Sequence, residues 1–162
     1  MLGKRSLWIW GMGVVFAWLI LACPAGPALA QDSIKIGAVL PLSKAAFAQA
    51  GEEQRRGLLM ALEEINQAGG VLGKKVELII EDDTGEPSVG IAAAEKLIAR
   101  DKVIALIGGY SSTITYAQLN AIQRYEPFVA WVGASSTKVE HEFGPKRWFF
   151  HYHPWDYHRQ ST

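Results

Sequence analysis

The chain has 162 residues, its 16 lysines and arginines balanced by 16 aspartates and glutamates, and 49% of it is apolar. That balance argues against nucleic acid or any other polyanion as a partner, and the apolar share is enough to build a packed core. Cys23 is the only cysteine, so neither an internal disulfide nor a cysteine metal site can form.

The first thirty residues carry a targeting pattern. Lys4 and Arg5 precede an uncharged apolar run, residues 7–22, and Ala28, Leu29 and Ala30 follow as a small-x-small site. That order is the pattern of a secretory signal peptide. The run is shorter than the roughly 20 residues a membrane-spanning helix needs. Pro24 and Pro27 break helix where a peptidase needs extended chain. Cys23 would admit a lipoprotein, but Leu21 fits a lipobox poorly. The expectation is cleavage after Ala30 and a periplasmic or secreted protein. Removing residues 1–30 leaves 162 − 30 = 132 residues, with 14 basic against 16 acidic side chains and a net charge of −2.

Residues 33–40 (S-I-K-I-G-A-V-L) read as a buried strand ending at Pro41. Residues 52–68 have helical spacing, with Leu58, Leu62 and Ile65 on one face and Leu59 and Ala61 beside it. Glu52 and Glu53 are expected in its first turn, where the helix dipole favours negative charge. Gly69 and Gly70 supply the stop. Residues 75–81 form a second strand, and Asp82, Asp83 and Gly85 turn the chain into a helix opened by Pro87 and running through Ile98. Residues 103–107 are an unbroken apolar run of the kind a parallel sheet buries on both faces. Gly108, Gly109, Tyr110, Ser111 and Ser112 lead into a third helix that ends near Tyr125. A fourth strand at 128–132, a loop at 133–146 and a fifth strand at 148–153 complete the series. Strand and helix in alternation predict right-handed βαβ units and an α/β, doubly wound parallel sheet.

In such sheets ligands bind beyond the carboxyl ends of the strands. Residues 41–48, 82–85, 109–113 and 133–137 meet that condition. Gly108 and Gly109 allow a sharp turn, and a helix start offers free N–H groups and partial positive charge to a carboxylate or phosphate. The plainer role for Ser111 and Ser112 is to cap the helix alone. Asp82 and Asp83 read as solvated turn residues. His151 and His153 alternate on one strand face near Asp156 and His158. Two imidazoles so placed can share a zinc, but a site needs a third ligand in fixed geometry. No Ser-His-Asp ordering, P-loop or G-x-G-x-x-G is present.

The segments I-K-I-G-A-V-L-P-L-S, E-E-I-N-Q-A-G-G-V-L-G-K-K-V-E-L-I-I-E-D-D, L-I-G-G-Y-S-S and V-G-A-S-S together resemble the amino-terminal lobe of type I periplasmic solute-binding proteins. The resemblance is to the leucine/isoleucine/valine and amide branch that serves ABC importers, and it covers about residues 34–156. Lys44 stands where the family usually has glycine, and His151, Tyr152, His153, Pro154, Trp155 and Asp156 replace a smaller stretch. Bulky aromatics there would reshape a pocket wall. The expected organisation is a signal peptide at 1–30, an amino-terminal lobe at 31–153 and, at 154–162, the start of a crossover to a second lobe that is absent.

The resemblance implies an amino acid or small amide held between two lobes, no cofactor, no metal and no catalysis. It implies a membrane permease as partner and a monomer at full length. It places Ser112 at the hydroxyl that holds the ligand's polar head, Ala134, Ser135 and Ser136 in the loop that completes the grip, Ser111 and Tyr110 beside it, and Ser43 as a weaker first-loop contact. The same fold can instead serve an extracellular sensor domain. Phe149 and Phe150 are expected to pack the sheet, and Trp155 and Tyr157 to stand near the cleft.

Overall fold

The computed structural model describes residues 33–44, 46–125 and 129–153. The leader and the crossover segment therefore lie outside the described residues, with Trp155, Asp156, Tyr157 and His158. The chain divides into units Met1–Gln31 and Asp32–Thr162, and the described residues belong to the second.

Five parallel strands are joined by helices: β1 Ile34–Leu40, α1 Ala48–Gln67, β2 Val76–Asp82, α2 Pro87–Glu95, β3 Ala105–Gly108, α3 Ser112–Ile122, β4 Val129–Val132, α4 Thr137–Phe143 and β5 Phe149–His151. Their order in the sheet is β2-β1-β3-β4-β5, the α/β arrangement that the alternation of elements predicts. Register fixes what the strands deliver. Leu40 pairs with Asp82, Val39 with Gly108, Gly108 with Val132, and Val132 with His151. All five carboxyl ends thus stand in one row, and the loops that follow them leave from one edge.

The core lies between the sheet and α2, α3 and α4. Leu97, Ile122, Val139 and Phe143 are fully enclosed there with Val39, Leu106, Leu119 and Phe149. The Phe143 ring packs against Tyr116, Trp148 and Phe149 at centroid distances of 5.7, 5.9 and 6.1 Å. Burying a side chain of that size contributes roughly 1.5–3 kcal/mol.

Several boundaries differ from those the sequence suggests. Residues 133–146, expected as a loop, contain α4. Val139 and Phe143 are one turn apart and both enclosed, but seven residues with two apolar positions are too short a window for periodicity to register. Helix α1 starts at Ala48, so Glu52 and Glu53 lie beyond its first turn. There Arg55 grips Glu52 with two hydrogen bonds of 2.7 Å, which hold the carboxyl down to about 2. Helix α2 runs on as a π turn, Lys96–Arg100. Val103 and Ile104 precede β3 because their amides bond the carbonyls of Leu97 and Lys35. Phe149 packs the core as expected, whereas Phe150 is 49% exposed on the opposite face.

Gly51 is the only fully buried residue of α1. A side chain there would strike the Pro41 carbonyl, while one at Gly57 would meet nothing within 4 Å. Gly51→Ala should therefore cost about 1–3 kcal/mol through overpacking, and Gly57→Ala should add about 0.5–1 kcal/mol through chain entropy. Urea unfolding of the two variants checks both signs.

Candidate functional site

The row of strand ends builds the site. After β3, Gly108 and Gly109 turn the chain with φ of 129° and 79°, and the Gly133 amide bonds the Gly108 carbonyl at 3.0 Å. This ties the loop after β4 to the loop after β3. Helix α3 then starts with Ser111 in extended conformation, its carbonyl accepting from the Thr115 amide at 2.9 Å. The Ser111 side chain makes no capping bond, contrary to the capping role available to it. The first-turn N–H groups of α3 are left to some other acceptor.

Helix α4 differs. The Ser136 hydroxyl accepts from the Lys138 amide at 3.3 Å, so this serine caps its helix while its own proton stays available for donation. Ser112 and Ser136 line one hollow of about 160 Å³ together with Thr113, Tyr116, Lys138 and Val139. The Lys138 ammonium stands 4.1 Å from the centre of the Tyr116 ring. Tyr110 and Ser135 line a second hollow of about 310 Å³ with Gln54, Gly133, Tyr152 and His153. Tyr110, exposed on one side, rests its ring 5.5 Å from that of Phe47.

The remaining candidates are placed less directly. Ala134 is enclosed, and its carbonyl accepts from the His151 Nε2–H at 2.8 Å. Burial lowers the His151 pKa and neighbouring His153 adds to this, while the Ala134 carbonyl and Glu140 pull the other way. The lowered pKa favours the neutral ring, which braces the loop through the Ala134 carbonyl. Burial also pushes the Tyr152 phenol up, so it remains a donor. Among the described residues no three His, Cys, Asp or Glu side chains are grouped as a metal site.

Ser43 is exposed on the loop after β1 and is turned to another task. Its hydroxyl and amide bond Asp82, whose Oδ1 also accepts from the amides of Leu42 and Thr84 at 2.9 and 2.8 Å. Burial alone would raise the Asp82 pKa, but the Ser43 hydroxyl and these amides hold it below the usual carboxylate range. Asp83, read from sequence as a solvated turn residue, is 1% exposed. Burial raises its pKa, against the Gly85 amide, which donates to Oδ1 at 2.7 Å. The pair is structural: Asp82 ties the first loop to β2, and Asp83 shapes the turn into α2.

Among the lining residues, the sequence presents His153 only as a candidate metal ligand and Tyr152 only as part of an aromatic stretch at the pocket wall, while its pattern does not single out Gln54 or Lys138 for a site. Gln54 comes from α1, distant in sequence, and its Oε1 is buried without a hydrogen-bond partner. Lys138 became visible only with α4.

A parallel sheet with helices on its faces, and paired Ser-rich hollows at its carboxyl edge, defines an α/β ligand-binding scaffold. The profile of the periplasmic binding protein family matches residues 33–162. The chain belongs to that family. It is 40% identical over 101 residues to the leucine-, isoleucine-, valine-, threonine- and alanine-binding protein of Pseudomonas aeruginosa, covering 62% of this chain and 26% of that one. Two solved structures are similar. The branched-chain amino acid transporter substrate-binding protein of Streptococcus pneumoniae in complex with isoleucine has 25% identity and a TM-score of 0.67, over 74% of this chain and 33% of that one. The Desulfitobacterium hafniense ABC transporter substrate-binding protein in complex with Leu has 26% identity and a TM-score of 0.68, over 80% and 37%. The chain thus spans between a quarter and two fifths of the length of these proteins.

The two aspartates predict opposite responses. Asp82→Ala leaves the amides of Leu42, Ser43 and Thr84 and the Ser43 hydroxyl without their acceptor and should cost about 1–3 kcal/mol at pH 7. Asp83→Asn keeps an acceptor for Gly85 and removes a desolvated charge, so stability at pH 7 should hold or rise. With its folded pKa raised, Asp83 contributes stability below its ordinary 3.8 and loses it as pH rises through the folded value. The advantage of Asp83→Asn over the parent should therefore grow with pH across the carboxylate range, read by urea unfolding in a pH series.

Proposed function

We propose that this chain forms the amino-terminal lobe of an extracytoplasmic solute-binding component of an ABC importer. Its ligand is a branched-chain or related amino acid, or a small amide, and it performs no catalysis. The observation that carries the reading is the shared hollow of Ser112 and Ser136 beside the uncapped start of α3. Hydroxyl donors and free helix N–H groups there suit the carboxylate of an amino acid. The relative named for leucine, isoleucine and valine binding supports the ligand class, and the two structures named above, one in complex with isoleucine and one with Leu, support an amino-acid ligand for this fold.

Residue by residue, Ser112 donates its hydroxyl, and Ser136 and Ser135 complete the grip. Ser111 and Tyr110 frame the approach, and Ala134 supplies backbone. Ser43 acts indirectly, by fixing the first loop through Asp82. A leader at residues 1–30 that is cleaved on export, a permease as docking partner and a monomeric full-length protein belong to the same reading.

Magnitudes bound what this lobe does alone. Two or three charge-assisted hydrogen bonds supply about 3–9 kcal/mol, and association costs about 4–15 kcal/mol in lost freedom. One lobe therefore holds its ligand at millimolar strength or weaker, and tight capture needs a second lobe closing over it. Amide NMR shifts of the chain titrated with leucine should move at Ser112, Thr113 and Ser136, and leucinamide, which lacks the carboxylate, should move them far less. Ser112→Ala should abolish the shifts without changing the unfolding free energy by more than about 1 kcal/mol. Equal shifts with leucine and leucinamide would overturn the carboxylate grip and leave the amide as ligand, and shifts confined to the other end of the sheet would overturn the whole reading.

A further inference from the structure

We propose that the amino-end face of the sheet, at the edge opposite the hollows, is a docking surface for an anionic lipid bilayer. The chain as a whole is electrically balanced, yet this end is not. Lys35, Lys74, Arg100 and Lys102 line one shallow hollow of about 500 Å³ at the starts of β1 and β3. The acid among its lining residues, Asp101, is engaged by Lys96 at 3.1 Å, and nearby Glu77 accepts from the Ser33 hydroxyl.

Large apolar side chains stand beside these cations in water. Ile104, just ahead of β3, is 59% exposed. Val71 and Lys74 close a short antiparallel bridge at the entry to β2, with Leu72 and Gly73 at its tip at φ of 51° and 75°. A two-residue turn with both φ positive is the type that asparagine followed by glycine fills best. Here a leucine occupies the strained first position with 94% of its surface exposed. It packs no core, and the fold would be served better by asparagine.

Exposed apolar side chains beside a cluster of cations suit a soft anionic interface. The apolar side chains enter the headgroup region and the ammonium and guanidinium groups meet lipid phosphates. Docking at this end leaves the carboxyl-edge hollows open to a ligand.

The test is sedimentation of the leader-free chain, residues 31–162, with vesicles of phosphatidylglycerol and phosphatidylcholine, compared with phosphatidylcholine alone. Binding to the anionic vesicles is expected to be stronger by about tenfold or more and to fall as added salt screens it. Lys74→Ala and Lys102→Ala should each weaken it by about fivefold. Leu72→Asn should weaken it severalfold while its thermal midpoint stays level or rises, since asparagine tolerates that backbone. This separates lost docking from lost folding. No binding to either vesicle, equal binding to both, or Leu72→Asn and the lysine variants binding as the parent does would each overturn the proposal.

Discussion

The alignment of strand ends is the constraint on which everything else rests. Each parallel pair is held by slanted hydrogen bonds in a fixed register, and that register puts Leu40, Asp82, Gly108, Val132 and His151 along one edge. Every loop that could touch a ligand begins in this row. A slip by one residue would turn each strand's enclosed side chains to the wrong face, so the core that holds Val39, Leu106 and Phe149 also holds the site.

Two kinds of support keep those loops in place. Backbone ties run between loops, as from Gly133 to Gly108 and from Gly109 to Val39. Side chains tie loops to strands, as Asp82 does for residues 42 and 43 and His151 does for Ala134. Polar residues near a binding edge are thereby divided in their work. Asp82, Asp83 and His151 consume their hydrogen-bonding capacity in the scaffold, while Ser112 and Ser136 stand on a hollow. Such a division leaves the edge on a rigid frame, and a rigid frame lowers the entropy that any ligand contact there must overcome.

The two ends of the sheet are also chemically distinct. The carboxyl edge offers hydroxyls, helix starts and neutral imidazole. The amino end offers ammonium and guanidinium groups with exposed apolar side chains. Parallel topology makes this separation possible, since all loops of one type fall at one end.

Sequence alone determined the order of the strands and of the first three helices, the parallel sheet and the segments at its carboxyl edge, because apolar runs, helical spacing and glycine turns are local signals. It also brought forward Ser112 and Ser136. What it could not supply was proximity between distant residues. Gln54 comes to the edge only through the packing of Gly51 on Pro41, α4 exists because Val139 and Phe143 find a core, and Asp83 is buried because α2 and α3 close over it. Ser43 is a weaker first-loop candidate in the sequence, and only the fold brings Asp82 within reach of its hydroxyl. A residue's chemistry is written in the chain, but its partner is chosen by the tertiary structure, since burial and hydrogen bonding depend on neighbours that only folding assembles.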